Sequence, residues 1–132
     1  MKASKILLIE KECIIAMEIQ KTLTELGYQI FTSISGDKGL EMAFKINPDL
    51  IIIDLNLADG IKTAKRLREF LDIPLIYLAA YINDKILEEA KLTKPSHIIL
   101  KPFNMDELID RIKIALEKSK LDRDGANREL LA

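Results

Sequence analysis

Five short apolar runs mark the chain: Ile6–Ile9 (ILLI), Tyr28–Thr32 (YQIFT), Leu50–Ile53 (LIII), Leu75–Leu78 (LIYL) and Ile98–Leu100 (IIL). They start 22, 22, 25 and 23 residues apart. Between them apolar residues recur at helical spacing. Ile15, Ile19, Leu23 and Leu26 share one face, and Gly27 follows as a stop. Leu40, Ala43 and Phe44 form a second stripe, ended by Asn47-Pro48. Ile61, Ala64, Leu67 and Leu71 form a third, ended before Pro74, and Ile86, Leu87 and Ala90 a short fourth. The fifth stripe is Met105, Leu108, Ile109, Ile112, Ala115 and Leu116, where Asn104 followed by Glu107 resembles a capping box.

Strand–helix alternation at this spacing predicts right-handed βαβ units around a parallel sheet. Runs one, three and four are apolar throughout, as strands covered on both faces should be. Run two alternates, Tyr28, Ile30 and Thr32 against Gln29 and Phe31, which reads as an edge strand. The doubly wound order 2-1-3-4-5 puts it there. No residue motif recurs with the spacing, so one domain is expected rather than a repeat array. Residues 121–132 (LDRDGANRELLA) lose the stripe and carry Gly125, and read as a tail or the start of a linker.

Composition narrows the function classes. The 132 residues suit one domain, and 48% apolar with 31% charged residues is a globular balance. Net charge is −1, so no global field draws in nucleic acid or an anionic membrane. The longest nearly unbroken apolar run, Ile73–Ile82, is half a membrane span, and Ile6–Ile9 is too short for a signal-peptide core. A cytoplasmic location is the expectation. One cysteine, Cys13, and one histidine, His97, exclude an internal disulfide, Cys- or multi-His metal clusters and an ordinary hydrolase triad.

In such a sheet, chemistry collects at the carboxyl ends of the strands. Run one ends in Glu10-Lys11-Glu12, run three in Asp54-Leu55-Asn56, run four in Ala79-Ala80 and run five in Lys101-Pro102-Phe103. Asp54 and Lys101 each directly follow an apolar run and so meet at one rim. The segments KILLIEKE, PDLIIIDLNLADG, IPLIYLAAY and ILKPF resemble, in order and spacing, the successive motifs of response-regulator receiver domains, from about Lys5 to Lys118. The resemblance implies a flavodoxin-like (βα)5 three-layer sandwich, with residues 1–120 as the receiver and no enzyme activity of its own. It implies phosphoryl transfer from a histidine kinase or phosphotransfer protein to Asp54, with Lys101 supporting the acceptor and Mg2+ held by Glu10, Asp54 and the backbone carbonyl of Asn56. It also implies a cis bond before Pro102. A homodimer through the fourth and fifth strand–helix units is expected on the same ground, and neither nucleic acid nor membrane as a partner.

Three positions depart from the family pattern. Lys11 stands where a second acid is usual, Ala79 where a Thr or Ser hydroxyl is usual, and Ile98 where an aromatic switch residue is frequent. Glu10, Asp54, Lys11 and Lys101 sum to zero charge, against −2 for the usual site. An ammonium ~5 Å from a divalent ion costs about 6–7 kcal/mol at an effective dielectric of ~20. That is an upper scale, since Lys11 can swing outward and Glu12 inward. Mg2+ binding is therefore expected to be weak or absent. An alternative function follows, in which Lys11 replaces the metal's charge by pairing with Asp54 or Glu10. The chain would then be a phosphorylation-independent interaction module.

The remaining candidates read as structural. Cys13 is expected in the core and His97 at the far end of the sheet from the site. Lys62, Lys65, Arg66 and Arg68 are expected to form a solvated face, having no interleaved aromatics. Other enzymes on related sheets fit less well. A flavin phosphate loop is not present in EKECI, the five glycines do not form GxGxxG, and Asn56 stands where a haloacid-dehalogenase-type phosphatase has its second acid.

Overall fold

The computed structural model describes residues 2–131, with side chains through Gly125. Strands β1 (Lys5–Ile9), β2 (Gln29–Ser33), β3 (Leu50–Asp54), β4 (Leu75–Ala79) and β5 (His97–Leu100) alternate with helices α1 (Cys13–Glu25), α2 (Gly36–Ile46), α3 (Gly60–Phe70), α4 (Asp84–Leu92) and α5 (Met105–Leu131). All pairings are parallel, in the order β2-β1-β3-β4-β5. The flavodoxin-like three-layer architecture read from the sequence is the observed one.

Side-chain alternation divides the core into two layers. Leu7, Ile9, Ile51, Ile53, Leu75 and Tyr77 pack with Ala43 of α2, Ala64 and Leu67 of α3 and Ala90 of α4. Ile6, Leu8, Leu50, Ile52, Ile76 and Leu78 face the other way, against Ile19 and Leu23 of α1 and Leu108 and Ile112 of α5. Every residue of β3 and β4 is buried, which explains their unbroken apolar runs.

The edge strand differs in detail from its expected alternation. Ile30 packs on one layer and Phe31 on the other, so both faces of β2 are used. Two stripe residues are also not core: Phe44 is half exposed and meets Phe70 edge-on at 5.6 Å, and Leu26 is exposed at the end of α1. Gly27, at φ 97°, and Asn47, at φ 51°, take the left-handed conformation that ends α1 and α2. Asn104 caps α5 by accepting from the Asp106 amide at 2.7 Å, and among the described residues Glu107 makes no reciprocal bond.

Helix α5 does not stop where its apolar stripe stops. It continues to Leu131, so residues 121–131 are helical, and Ala132 lies outside the described residues. No described helix is long and apolar enough to cross a membrane.

Candidate functional site

Sheet register builds the site. Ile9 pairs with Ile53, so Glu10 and Asp54 emerge side by side from β1 and β3. Ala79 pairs with Leu100, so Lys101 follows at the same rim. The Lys101–Pro102 bond is cis. Gly60 opens α3 against the end of β3, where a Cβ would stand 2.8 Å from the Asp54 carbonyl oxygen and 3.0 Å from that of Leu55. Only glycine lets the helix approach the site this closely.

Lys101 Nζ lies 2.6 Å from Glu10 Oε1 and 3.4 Å from both Asp54 Oδ2 and Glu12 Oε1. Asp54 is 0% exposed and Glu10 1%. The Lys101–Glu10 contact is short but off the hydrogen-bond axis, so Glu10 Oε1 accepts no well-aligned bond. Glu10 Oε2 accepts the Glu12 amide at 3.2 Å. Asp54 Oδ1 accepts the Asn56 amide at 2.9 Å. Burial pushes the Glu10 carboxyl above its ordinary range; Lys101 pulls it down and nearby Asp54 pushes it up further. Burial works against the charge of Lys101, but its close ion pair with Glu10, together with Asp54 and Glu12, outweighs it and holds the ammonium above its usual range.

The geometry corrects the expected role of Lys11. Its side chain is exposed, and among the described residues it pairs with no carboxylate. Lys101 is the ammonium that bridges Glu10 and Asp54. Glu12, half exposed, reaches the ammonium of Lys101 at the rim instead, and as the helix-capping residue it makes no side-chain cap bond to α1. The crevice therefore holds three carboxylates and one ammonium, a sum of −2 rather than zero. The premise of weak metal binding and of the Lys11-based alternative is removed together with it.

One oxygen each of Glu10, Glu12 and Asp54 lies within 4.8 Å of the others. Three convergent acids, one with an oxygen lacking an aligned partner, fit a hard divalent cation such as Mg2+. The other sequence candidates are placed as follows. Ala79 is fully buried at the end of β4 and brings no hydroxyl to the rim. Ile98 is half-buried and packs on the layer of α2, α3 and α4. Cys13 is exposed at the first position of α1, not in the core, because that turn faces away from the sheet. His97 opens β5 at the opposite end; burial and Arg111 lower its pKa, against a smaller upward pull from Glu107.

Two residues carry more than the sequence indicated. Arg68 is not part of a solvated face: Nε donates to the Thr93 carbonyl at 2.7 Å, Nη1 to those of Ile73 and Leu71 at 2.8 and 3.2 Å, and Nη2 to that of Lys94 at 3.3 Å. It ties the end of α3 to the α4–β5 turn. The Asn56 side chain reaches the β4–α4 turn, with Nδ2 donating to the Tyr81 carbonyl and Oδ1 accepting from the Ala80 amide. A lone basic residue and a lone amide carry no sequence signal for such long-range partners.

Known proteins agree with this geometry. Residues 6–113 match the model of the response regulator receiver domain. The transcriptional regulatory protein DltR of Streptococcus agalactiae is 34% identical over 122 residues, covering 90% of this chain and 54% of the relative. KdpE of Mycobacterium tuberculosis is 33% identical over 116 residues, covering 86% and 51%. The chain thus spans about half the length of these relatives. A solved receiver domain of a modulated diguanylate cyclase from Desulfovibrio desulfuricans superimposes with a TM-score of 0.85 at 26% identity, covering 92% of this chain and 99% of that one. A CheY-like receiver from Methanospirillum hungatei reaches 0.89 at 18% identity, over 92% and 99%, which speaks for the fold alone. With acid pocket, bridging lysine and fold in agreement, the chain belongs to the response regulator receiver domain family.

Proposed function

We propose that the chain is the phosphoryl-accepting unit of a two-component phosphorelay, taking a phosphoryl group onto Asp54 from a histidine kinase or phosphotransfer protein. The observation that carries this reading is the Asp54 carboxylate: buried, fixed through Oδ1 by the Asn56 amide, and facing Lys101 with Oδ2. A carboxylate so held is oriented to attack phosphorus. A bond forms between an Asp54 oxygen and phosphorus, and the phosphorus–nitrogen bond of a phosphohistidine breaks. Its electron pair stays on the imidazole nitrogen, which takes a proton from solvent.

Lys101 places a full positive charge where the transferring oxygens would lie, and Glu10 holds it there. Glu10, Glu12 and Asp54 would hold Mg2+, with the Asn56 carbonyl in support; when bound, the ion supplies charge that shields the phosphoryl oxygens from these acids. With a crevice charge of −2, the acids favour that ion rather than oppose it.

The reading is of a signalling module, not an enzyme, working in the cytoplasm. Residues 1–120 form its functional unit, since the described core layers end at Leu116; residues 121–132 would serve as a tail or linker start. Exposed Leu92, Leu100 and Ile114 on α4, β5 and α5 support the fourth and fifth units as the homodimer or partner surface. The test is incubation with a small-molecule phosphodonor, with and without Mg2+, followed by intact mass. One added phosphoryl is expected in the wild type with Mg2+, and none in Asp54→Asn. No addition to the wild type, or equal addition to the variant, overturns the reading.

A further inference from the structure

At the amino ends of β4 and β5, opposite the acid crevice, an open cleft of about 740 Å3 lies between the end of α3, the α4–β5 turn and the continuation of α5. Arg68, Lys94, Lys118 and Arg123 line it, against Asp72 and Asp122. Four cations against two acids give +2, in a chain whose net charge is −1. Lys118 and Arg123 stand past Leu116, where the described core layers end. The length of α5 beyond the core therefore supplies one wall of the cleft and half of its cations. Among the described residues none of the four cations forms a salt bridge with these acids or with any other carboxylate.

Arg68 makes this more than a patch of surface lysines. A guanidinium has five N–H donors. Here four hydrogen bonds run to the carbonyls of Leu71, Ile73, Thr93 and Lys94, in the two segments that border the cleft. Those acceptors are neutral dipoles, so the half-buried charge is held in place without being neutralised. A cation already fixed loses little freedom when an anion arrives, which lowers the ordering cost of binding. Arginine, lysine and the hydroxyls of Ser96 and Ser119 make a donor set suited to phosphate oxygens. An inorganic ion would fill little of the space, which falls in the range of roughly 300–1,000 Å3 that holds small organic ligands. Half-buried Ile73, Pro74 and Pro95 and exposed Leu92 add aliphatic surface on which an organic moiety can pack.

We propose that this cleft binds a small organic phosphate of nucleoside-diphosphate size, its phosphates among Arg68, Lys94, Lys118 and Arg123 and its organic part against the aliphatic wall. A bound ligand would tie the continuation of α5 to the α4–β5 turn, which no side-chain hydrogen bond or salt bridge joins among the described residues. The site lies at the other end of the sheet from Asp54 and does not rest on the reading of that residue as a phosphoryl acceptor.

The test is titration of ADP into the 15N-labelled full chain at low salt with EDTA, followed by amide shifts in NMR spectra. EDTA keeps divalent cations from the acid crevice, so the result bears on the cleft alone. Saturating shifts at Lys94, Ser96, Lys118 and Ser119 are expected, with a Kd of about 1 mM or tighter. Lys118→Glu reverses one exposed charge and should weaken binding roughly tenfold. Lys94→Gly removes another while suiting the left-handed backbone there, φ 52°, and should weaken it about threefold or more. Lys62→Glu, on α3 but outside this cleft, should change binding about twofold at most. Unchanged β3 amides in each variant report an intact fold, and Lys94→Gly decides alone if Lys118→Glu does not fold. Adenosine and inorganic diphosphate should each bind several-fold more weakly than ADP. No saturation by about 10 mM ADP overturns the proposal. So do equal losses in the cleft variants and Lys62→Glu, ADP binding no tighter than adenosine, and ADP binding no tighter than diphosphate.

Discussion

Lys101→Met removes the ammonium shared by three carboxylates and keeps an unbranched apolar stem, so the perturbation is mainly one of charge. Half-exposed Glu12 regains water; Glu10 and Asp54 do not. The loss is not the full Coulomb attraction, because an unpaired buried acid escapes by binding a proton. For a carboxyl with an ordinary pKa of 4.5, staying protonated at pH 7 costs about 3.4 kcal/mol, at about 1.4 kcal/mol per unit. That is the ceiling for Glu10, while Asp54 keeps its bond from Asn56. A destabilisation of about 3 kcal/mol at pH 7 is expected, falling below about 1 kcal/mol at pH 5. The sign follows from proton counting. Between pH 4.5 and 7 the folded variant holds a proton that its unfolded chain has released, so its stability falls as pH rises. Urea denaturation of both proteins at pH 5, 6 and 7 measures this. A loss of equal size at all three values would refute the electrostatic argument and assign the effect to packing; no loss at pH 7 would refute it outright.

Further predictions concern other parts of the structure. Arg68→Ala leaves four carbonyl acceptors without their guanidinium and should cost about 2–3 kcal/mol, with Arg68→Lys failing to restore it, since one ammonium cannot reproduce the planar fork; thermal melts of both variants check this. Gly60→Ala should destabilise by roughly 1–3 kcal/mol and slow phosphoryl acceptance, because its Cβ meets the Asp54 carbonyl oxygen; urea titration and intact mass report the two effects. Lys101 is held above its ordinary value of 10.5, so its contribution to stability is complete below that pH and lost as pH rises through the folded value. The wild type should therefore lose more thermal stability above pH 10.5 than Lys101→Met does. Lys11→Asp exchanges an exposed cation for an acid beside the crevice and should tighten Mg2+ binding at least several-fold, measured by titration at low salt.

Elements and topology were legible because they rest on periodicity. LIII and LIYL could be only strands buried on both faces, and their spacing left room for one helix each. Asp54 and Lys101 were legible for the same reason: each directly follows such a run, and the run's end is the rim. Lys11 was misjudged because adjacency along the chain does not give direction. At the β1–α1 junction both side chains are exposed, yet Glu12 and not Lys11 reaches across the rim to Lys101, a two-residue choice that composition does not encode. Phe44 looked like core by spacing, yet α2 rotates it onto Phe70 at the surface. Arg68 and Asn56 looked like ordinary polar residues because their acceptors lie up to 26 residues away.

Sequence by itself determined the five-stranded parallel sheet, its order and the meeting of an acid with a lysine at its carboxyl edge, since hydrophobic burial acts on pattern and is indifferent to small displacements. Only the tertiary structure decided which ammonium neutralises Asp54, which glutamate joins it, and which amide reaches the neighbouring turn. Those outcomes depend on hydrogen-bond and ion-pair geometry, which changes sharply over an ångström, and that precision exists only once the strands are in register.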